Sequence, residues 1–182
     1  VQQRWDHAIA NPIPPCVVES AACQEVVVSG EQLQGEGNGL DALPIPVSTP
    51  GFDGAPTLTA TNVITKDPET GVRKVGWYRL TQLWNCQHPQ GGSYTEKEQK
   101  KQLSVFAFWN PPMNHIGLHL AKAQRMGVPL EIAVACQCDP AVHMAAATGV
   151  PYGLDEYEYA GGLRGSPVEL VKCETVDLEV PA

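Results

Sequence analysis

The sequence predicts an α+β fold in which a closed or nearly closed β-sheet has short helices packed around it. The 17 glycines and 16 prolines among the 182 residues imply short elements joined by many turns. Two segments of alternating polarity, 57–65 and 75–83, flank a turn sequence at 67–71, which indicates a β-hairpin. From residue 103 onward, strand-like and helix-like segments alternate, so helices accompany the sheet.

The first third of the chain is predicted to contain little regular structure. Residues 1–22 are expected to form an irregular lead-in, because the Asn-Pro-Ile-Pro-Pro sequence at 11–15 opposes helix formation. Residues 24–28 are predicted as a strand. Residues 29–56 are rich in glycine and proline and are predicted as a loop. The polar segment 94–101 is predicted as an exposed loop or helix tip.

The second half of the chain carries stronger local signals. A strand is predicted over 103–109, stopped by Pro111. Asn114 is predicted to cap a helix that ends at Gly127 and whose apolar residues recur at helical spacing. The remaining predicted elements are a strand over 130–136, a helix opened by Asp139 and Pro140, a helix or turn over 155–163, and closing strands over 168–173 and 176–180.

Charge and hydropathy exclude two classes of partner. Twelve basic and 20 acidic residues give a net charge of −8, which argues against a nucleic-acid-binding protein because such a protein needs a basic face. No apolar run approaches the roughly 20 residues of a membrane-spanning helix. Neither nucleic acid nor a membrane is therefore expected as a partner.

Cysteine usage favours a reducing, cytoplasmic location. Six cysteines are too sparse for a disulfide scaffold in a chain of this length. Cys23, Cys136 and Cys173 lie within apolar stretches and are predicted to be small buried hydrophobic residues. The single intervening residue between Cys136 and Cys138 is the wrong spacing for a zinc knuckle.

Several polar residues are candidates for chemistry, each with an ordinary alternative. His115 and His119 share a helix face and could meet one metal ion, or one could act in the site while the other lies at the surface. Glu156 and Glu158 alternate with tyrosines before a glycine-rich turn, which suits either a ligand site or a solvated acidic face. The scattered cations could bind an anionic cofactor or balance local carboxylates; they are Lys74, Arg79, Arg164 and Lys172.

Several separate blocks of sequence occur in a specific order. They are TKDPETG at 65–71, GWYR at 76–79, PPMNHIG at 111–117, AGGLRGSPVELVKC at 160–173 and DLEVPA at 177–182, preceded by NPIPP at 11–15 and CQEVVV at 23–28. In this combination and order the chain resembles the UbiD family of decarboxylases from end to end.

The resemblance implies a fold, a reaction and cofactors. Family members are reversible non-oxidative carboxy-lyases that act on aromatic, heteroaromatic or α,β-unsaturated carboxylic acids. They use prenylated FMN, with a divalent metal, usually manganese, and potassium at its phosphate. The resemblance implies that residues 1–182 form a single prenylated-FMN-binding domain, a split β-barrel like that of flavin reductases.

Family enzymes are longer than this chain. The resemblance therefore implies that a further N-terminal segment and a C-terminal α/β domain, or a separate subunit, complete the enzyme. A start at Val1 rather than methionine fits the expectation that the chain is a piece of something longer. A homo-oligomer is expected for the intact enzyme.

The resemblance also carries over individual residues. The family's metal ligands are an asparagine, a histidine and a glutamate, and His115 and Glu156 match the last two. Arg79 matches a catalytic arginine that acts with two glutamates, at least one of which is expected beyond Ala182. The cofactor-binding positions are expected to include His115, Glu156 and Arg79 themselves, together with Lys74, Gly76, Asn114, Ala146, Ala147 and Thr148, the last three supplying backbone carbonyl groups to potassium.

Lys74 stands where the family has its metal-binding asparagine. A protonated lysine offers only hydrogen-bond donors and cannot coordinate a cation. In one hypothesis the Lys74 ammonium partly replaces the metal and pairs with Glu156 and the phosphate, while His115 acts as a hydrogen-bond donor. In the other, Lys74 points to solvent and leaves a weak metal site with two ligands.

The expected function is thus a cofactor-binding domain of a UbiD-type decarboxylase, inactive when isolated. Two alternatives stay open. One is a barrel that binds plain FMN, and the other is a non-catalytic scaffold subunit of a split decarboxylase.

Overall fold

A computed structural model describes residues 2–82, 95, 98, 101–105 and 114–182. The chain divides into two compact units. The first unit comprises Val1–Gln24, Ala60–Trp77 and Ala107–Ala182, and the second comprises Glu25–Thr59 and Tyr78–Phe106. The predictions for 94–101 and for the strand beyond residue 105 fall largely outside the described residues.

Short helices and strands alternate along the described chain. The helices are α1 (Gln2–Ala10), α2 (His115–Met126), α3 (Pro140–Ala146) and α4 (Glu156–Arg164). The strands are β1 (Cys16–Val17), β2 (Thr57–Lys66), β3 (Arg73–Gln82), β4 (Leu103–Val105), β5 (Ala133–Cys136), β6 (Glu169–Lys172) and β7 (Glu179–Pro181). Short 3-10 helices occupy Ala22–Gln24, Gly30–Leu33 and Gly39–Ala42.

The described strands form two hydrogen-bonded sheets. One has the order β4-β3-β2-β5, with β4 antiparallel to β3 and β5 antiparallel to β2. The other has the order β1-β6-β7, in which β1 is parallel to β6 and β7 is antiparallel to it. The mixed α+β class is confirmed. Closure into one barrel-like sheet is not seen among the described residues and stays a prediction.

The predicted hairpin is confirmed, and its turn is built by Asp67. The Asp67 N–H donates to the carbonyl of Val72 at 2.8 Å, and the Gly71 N–H donates to the carbonyl of Asp67 at 2.8 Å. The Asp67 carboxylate accepts from the N–H groups of Glu69 and Thr70, at 2.8 and 3.2 Å. Gly71 has φ 72°, a conformation that glycine adopts without strain.

Helix caps follow the sequence signals. The Asn114 side chain accepts from the N–H of Gly117 at 3.2 Å, and Gly127 ends α2 with φ 68°. Asp139 caps α3 and is followed by Pro140 in the first turn. The predictions for α2 and α3 are confirmed. They succeed because the caps depend on neighbouring residues alone. The helix-or-turn prediction over 155–163 is resolved as helix α4.

The N-terminal predictions are wrong in two places. Residues 1–22 are not uniformly irregular, because α1 occupies Gln2–Ala10 and its Ala8 is fully buried. The proline-rich sequence at 11–15 ends this helix rather than preventing it, since proline restricts itself and the preceding residue only. Residues 24–28 are not a strand. Although these residues are apolar, Val26 is 78% exposed, so burial does not stabilise an extended segment there.

The cysteine predictions also need correction. Cys23 and Cys136 are exposed, and Cys173 is half-buried. Cys136 lies on β5, which is the edge strand of its sheet among the strands that the structure describes. Apolar sequence neighbours therefore do not imply burial at this edge. No cysteine among the described residues is in a disulfide.

The core of the first unit lies between the sheets and the later helices. Its largest fully buried apolar side chains are Tyr157, Ile64, Leu170, Leu178, Val75, Val142 and Val168. Helix α4 packs against both α1 and α3, so its residues are fixed from two sides. Within the described ranges, no helix has the length and apolar character needed to cross a membrane.

Candidate functional site

Lys74 and Glu156 form a buried ion pair in the first unit. Lys74 lies on β3 and is 8% exposed, whereas Glu156 lies in the first turn of α4 and is 1% exposed. The ammonium group donates to Oε1 of Glu156, and the N–H of Val75 donates to Oε2 at 2.8 Å. Both carboxylate oxygens thus have a partner from β3. The hypothesis that Lys74 points to solvent is wrong.

His115 belongs to the same cluster. Burial lowers the pKa of His115, and the positive charge of Lys74 lowers it further. The imidazole is therefore neutral at pH 7 and close enough to Lys74 to respond to its charge. Burial raises the pKa of Glu156, and the attraction of Lys74 and the N–H of Val75 oppose this only in part. We call Lys74, His115 and Glu156 the lysine cluster.

The lysine cluster does not fit a divalent metal. A metal bound to Glu156 would lie beside the Lys74 ammonium, whose positive charge would repel it. Lys74 also supplies no lone pair in its protonated form. Among the residues that the structure describes, no group of three histidine, cysteine or acidic side chains could coordinate a metal ion.

The acidic run around Glu156 is not a solvated face. Asp155 caps α4 by accepting from the N–H of Tyr157 at 2.9 Å, and its other oxygen accepts from the guanidinium of Arg73. Arg73 also donates to Glu179 at 2.9 Å and lies 4.8 Å from the centre of the Tyr157 ring. Arg73 thus fixes the start of α4, a role that its sequence position does not reveal.

His119 lies one turn after His115 on α2 and is fully buried. Its Nδ1 is 2.9 Å from the hydroxyl of Thr65, and its Nε2 has no partner among the described residues. Burial lowers the pKa of His119 to about 4, and the negative charge of Asp67 opposes this shift. The alternative that places one of the two histidines at the surface is therefore wrong for His119.

We expect His119 to make the protein acid-sensitive. Because its pKa is about 4 when folded and about 6.5 when unfolded, the stabilising contribution is complete above pH 6.5 and is lost as the pH falls towards 4. The loss is on the order of 3 kcal/mol in the free energy of unfolding. Urea unfolding at pH 7.5 and 4.5 measures it.

In the His119→Gln variant, this decrease between pH 7.5 and 4.5 should largely disappear. The exposed His7 provides the matched control, because His7→Gln should retain the full decrease. An unchanged pH dependence in His119→Gln would contradict the prediction.

A network of polar side chains connects α2 to the hairpin turn. Lys122 donates to the carboxylate of Asp67 at 2.5 Å, and the Tyr152 hydroxyl donates to the same carboxylate. The Tyr152 ring also meets His115 edge-on, with 5.0 Å between ring centres. Burial acts to raise the pKa of Asp67, but Lys122 and the two turn N–H groups keep it below the usual value. Sequence reasoning missed Lys122 and Tyr152.

The predicted potassium-binding stretch lies at the C-terminal end of α3. Ala147 is the C-terminal cap, and the Thr148 hydroxyl donates to the carbonyl of Met144 at 2.8 Å. Carbonyl groups at a helix C-terminus carry partial negative charge and are ligands of the type that hard cations prefer. The stretch is thus chemically suited to a monovalent cation.

An open cavity of about 520 Å³ adjoins this stretch within the first unit. Its lining is mostly apolar and consists of Trp5, Ala60, Trp77, Pro140, His143, Met144, Ala147 and Thr148. Trp77 follows Gly76, a buried residue of β3 and one of the predicted cofactor positions. The cavity thus supplies an aromatic, apolar surface next to the predicted cation-binding carbonyls.

Arg79 belongs to the second unit. It is exposed on β3 and lines a cavity of about 360 Å³. Three threonines, which carry hydroxyl groups, line the same cavity: Thr57, Thr59 and Thr81. A guanidinium and hydroxyl groups can donate hydrogen bonds to an anionic ligand, and Asp53, which also lines this cavity, accepts from the N–H of Thr49 at 2.6 Å.

The remaining candidate residues are Asn114, Arg164 and Lys172. The side chain of Asn114 caps α2. Arg164 lies 3.9 Å from Asp139, as expected for a cation that balances a carboxylate. Lys172 is exposed at the end of β6.

Comparison with known families decides the identity. Residues 16–182 match the family model described as "UbiD: 3-octaprenyl-4-hydroxybenzoate carboxy-lyase Rift-related domain". The chain belongs to the UbiD family. An uncharacterized protein of Synechocystis is 41% identical to this UbiD-family chain over 160 residues, which are 88% of the chain and 27% of that relative.

Solved structures of UbiD-class enzymes resemble the UbiD-family chain throughout. The enzyme HmfF of Pelotomaculum thermopropionicum in complex with FMN has a TM-score of 0.75 at 34% identity, over 98% of this chain and 35% of HmfF. An evolved dimeric form of HmfF in complex with prFMN has a TM-score of 0.70 at 34% identity, with 98% and 36% coverage. Vanillic acid decarboxylase of Sedimentibacter hydroxybenzoicus has a TM-score of 0.73 at 29% identity, with 98% and 34% coverage.

The UbiD-family chain spans about a third of each of these proteins. It is therefore a domain of the UbiD decarboxylase family. Within it, the lysine cluster brings together the predicted positions 74, 115 and 156. Ala147 and Thr148 line the cavity of about 520 Å³. Arg79 lines the cavity of about 360 Å³.

Proposed function

We propose that the chain is the prenylated-FMN-binding domain of a UbiD-type reversible non-oxidative decarboxylase, with a split β-barrel fold. The substrates would be aromatic or α,β-unsaturated carboxylic acids. One observation carries the proposal: Lys74 and Glu156, 82 residues apart in sequence, form a buried ion pair whose charge acts on His115, and these are the positions that the resemblance assigns to the phosphate end of the cofactor. The FMN and prFMN complexes of the similar enzyme HmfF support it.

The cofactor would be bound by residues of several elements. These are Lys74 and Gly76 on β3, Asn114 and His115 at the start of α2, Glu156 through Lys74, and Ala146, Ala147 and Thr148 at a potassium ion. When bound, the modified flavin supplies an electron sink for the carbanion equivalent that loss of carbon dioxide produces. Trp77 and the other apolar residues of the 520 Å³ cavity would offer an apolar surface next to the carbonyl groups of this predicted potassium-binding stretch.

Arg79 would orient the substrate carboxylate. A guanidinium can donate two parallel hydrogen bonds to a carboxylate, which fixes both its position and its plane. The threonines of the same cavity provide further donors. The acid–base glutamates that would act with Arg79 are expected in part from outside this chain. We therefore propose that the isolated chain has no activity and needs a C-terminal domain, a second subunit or a homo-oligomeric partner.

Substitution of Arg79 tests this role. Arg79→Lys keeps the charge but loses the paired hydrogen bonds, and we expect kcat/KM of the complete enzyme to fall about 10- to 100-fold. Arg125→Lys is the matched control, because the Arg125 side chain is 68% exposed. Steady-state decarboxylation kinetics measure both. Equal rates for Arg79→Lys and the control would contradict the proposed role.

Reconstitution with flavin tests the proposed function itself. The protein, expressed as the full reading frame that contains these 182 residues, is incubated with prenylated FMN or FMN. The absorption spectrum and the mass of the extracted cofactor then identify what binds. Tight binding of prenylated FMN with decarboxylation of an aromatic or unsaturated acid supports the proposal. Binding of plain FMN alone supports the simple flavin barrel, and binding of neither overturns both.

A further inference from the structure

We infer that Lys74 permanently replaces a divalent metal in this chain, so that its flavin phosphate is bound without such a metal. The identity of the phosphate-bearing ligand rests on the proposed function. The exclusion of the metal rests only on the lysine cluster. The inference concerns a departure of this chain from its family rather than a property of the family.

The first step in the argument is the occupancy of Glu156. One carboxylate oxygen accepts from the Lys74 ammonium, and the other accepts from the N–H of Val75 at 2.8 Å. The N–H of Val75 is part of the β3 backbone, so this partner cannot move away without disrupting the strand. Glu156 is 1% exposed, and no solvent can replace these donors. A metal would have to compete with both.

The second step concerns charge. Lys74 and Glu156 together are neutral, whereas a divalent metal added beside them would give the buried cluster a net charge of two. His115 cannot offset that charge, because an imidazole is either neutral or positively charged. Charges in a buried site are poorly screened, so the repulsion between an ammonium and a divalent ion is strong there. Protonated Lys74 therefore excludes the metal.

The third step concerns what the lysine cluster offers instead. An ammonium group has three N–H donors, and only one is needed for Glu156. The remaining donors suit a phosphate oxygen, for which lysine is a common partner. Neutral His115 can add one ring N–H. The cluster thus provides a positive charge and directed hydrogen bonds at the place where a metal would supply positive charge and coordination bonds.

A single substitution, Lys74→Asn, should convert the lysine cluster into a metal-binding site. Lys74→Asn removes the ammonium and supplies an amide oxygen, so that an asparagine, His115 and Glu156 can coordinate a metal. Wild-type protein and Lys74→Asn, both expressed as the full reading frame and purified with Mn²⁺, are compared by metal analysis and by electron paramagnetic resonance of Mn²⁺. We expect about one tightly bound Mn²⁺ per chain in Lys74→Asn and none in the wild type.

Two further variants serve as controls. Lys66→Asn makes the same change at another lysine on a strand, paired with Glu179 at 3.2 Å, and should acquire no metal. Adding His115→Ala to Lys74→Asn should remove the acquired metal. Both proteins are then titrated with FMN in the presence and absence of EDTA. EDTA should leave the Kd of the wild type for FMN unchanged and should weaken FMN binding to Lys74→Asn about tenfold or more.

Stoichiometric Mn²⁺ in the wild-type protein would overturn the inference, and this arm needs no variant to fold. Loss of FMN binding to the wild type on EDTA treatment would also overturn it. If the wild type binds no flavin at all while only Lys74→Asn binds Mn²⁺, the proposed function fails and the metal exclusion stands.

Discussion

Lys74→Met is expected to lower the free energy of unfolding by about 3–5 kcal/mol at pH 7. The substitution preserves most of the side-chain volume but removes the ammonium, so Glu156 is left as a buried carboxylate without a counter-charge. The N–H of Val75 alone cannot offset the loss of solvation. Urea denaturation of wild type and variant in the same buffer measures the difference.

The loss of stability in Lys74→Met should depend on pH through the ionisation of Glu156. The folded pKa of Glu156 is already above its ordinary value, and loss of Lys74 raises it further. A carboxyl group with a raised folded pKa contributes stability below its unfolded pKa, and this contribution is lost as the pH rises through the folded pKa. The variant should therefore approach wild-type stability on acidification from pH 7 towards pH 5.

A double variant provides the control. Lys74→Met combined with Glu156→Leu removes both charges, so it should recover most of the stability that Lys74→Met alone loses. If the single variant is as stable as the wild type at pH 7, the buried pair does not have the role described above.

Gly161→Ala is expected to destabilise the first unit by about 1–3 kcal/mol. A β-carbon at residue 161 would lie 2.5 Å from the carbonyl oxygen of Ile13 and 3.1 Å from the Ile13 side chain. Alanine normally stabilises a helix relative to glycine by up to about 1 kcal/mol, so a net loss would show that the contact with the N-terminal segment outweighs helix propensity. Thermal unfolding measures the change.

Gly149→Ala is the matched control for this substitution. A β-carbon at Gly149 meets no atom within 4 Å, and its backbone does not require glycine. We expect its stability to stay within about 0.5 kcal/mol of the wild type. Gly161→Ala with wild-type stability would mean that α1 and the segment after it are not packed against α4.

The sequence predicts those parts of the fold that depend on interactions between residues close together in the chain. The hairpin depends on alternation and on the Asp67 turn, and α2 depends on Asn114 and Gly127, all of which act within a few residues. Helix α1 lacks such signals. Its Ala8 is buried through packing against α4, more than a hundred residues away, and no local pattern reveals that contact.

The candidate site shows the same division. Lys74, His115 and Glu156 could be predicted because separate motifs place them on a family pattern. Arg73 and Tyr152 could not, because their importance comes from what surrounds them: Arg73 reaches Asp155 across the fold, and Tyr152 reaches Asp67 from a loop. An arginine next to a lysine on a strand has no sequence signature that distinguishes it from a surface cation.

The parallel pairing of β1 with β6 has a consequence for biosynthesis. Cys16 lies opposite Glu169, about 150 residues further along the chain, and the N–H of Ile13 donates to the carbonyl of Glu158 at 3.0 Å. Strand β1 therefore cannot pair within its sheet until the residues of β6 have been synthesised. Such distant contacts close large loops and form late, so the segment that contains β1 stays exposed to aggregation and proteolysis while the residues up to β6 are synthesised.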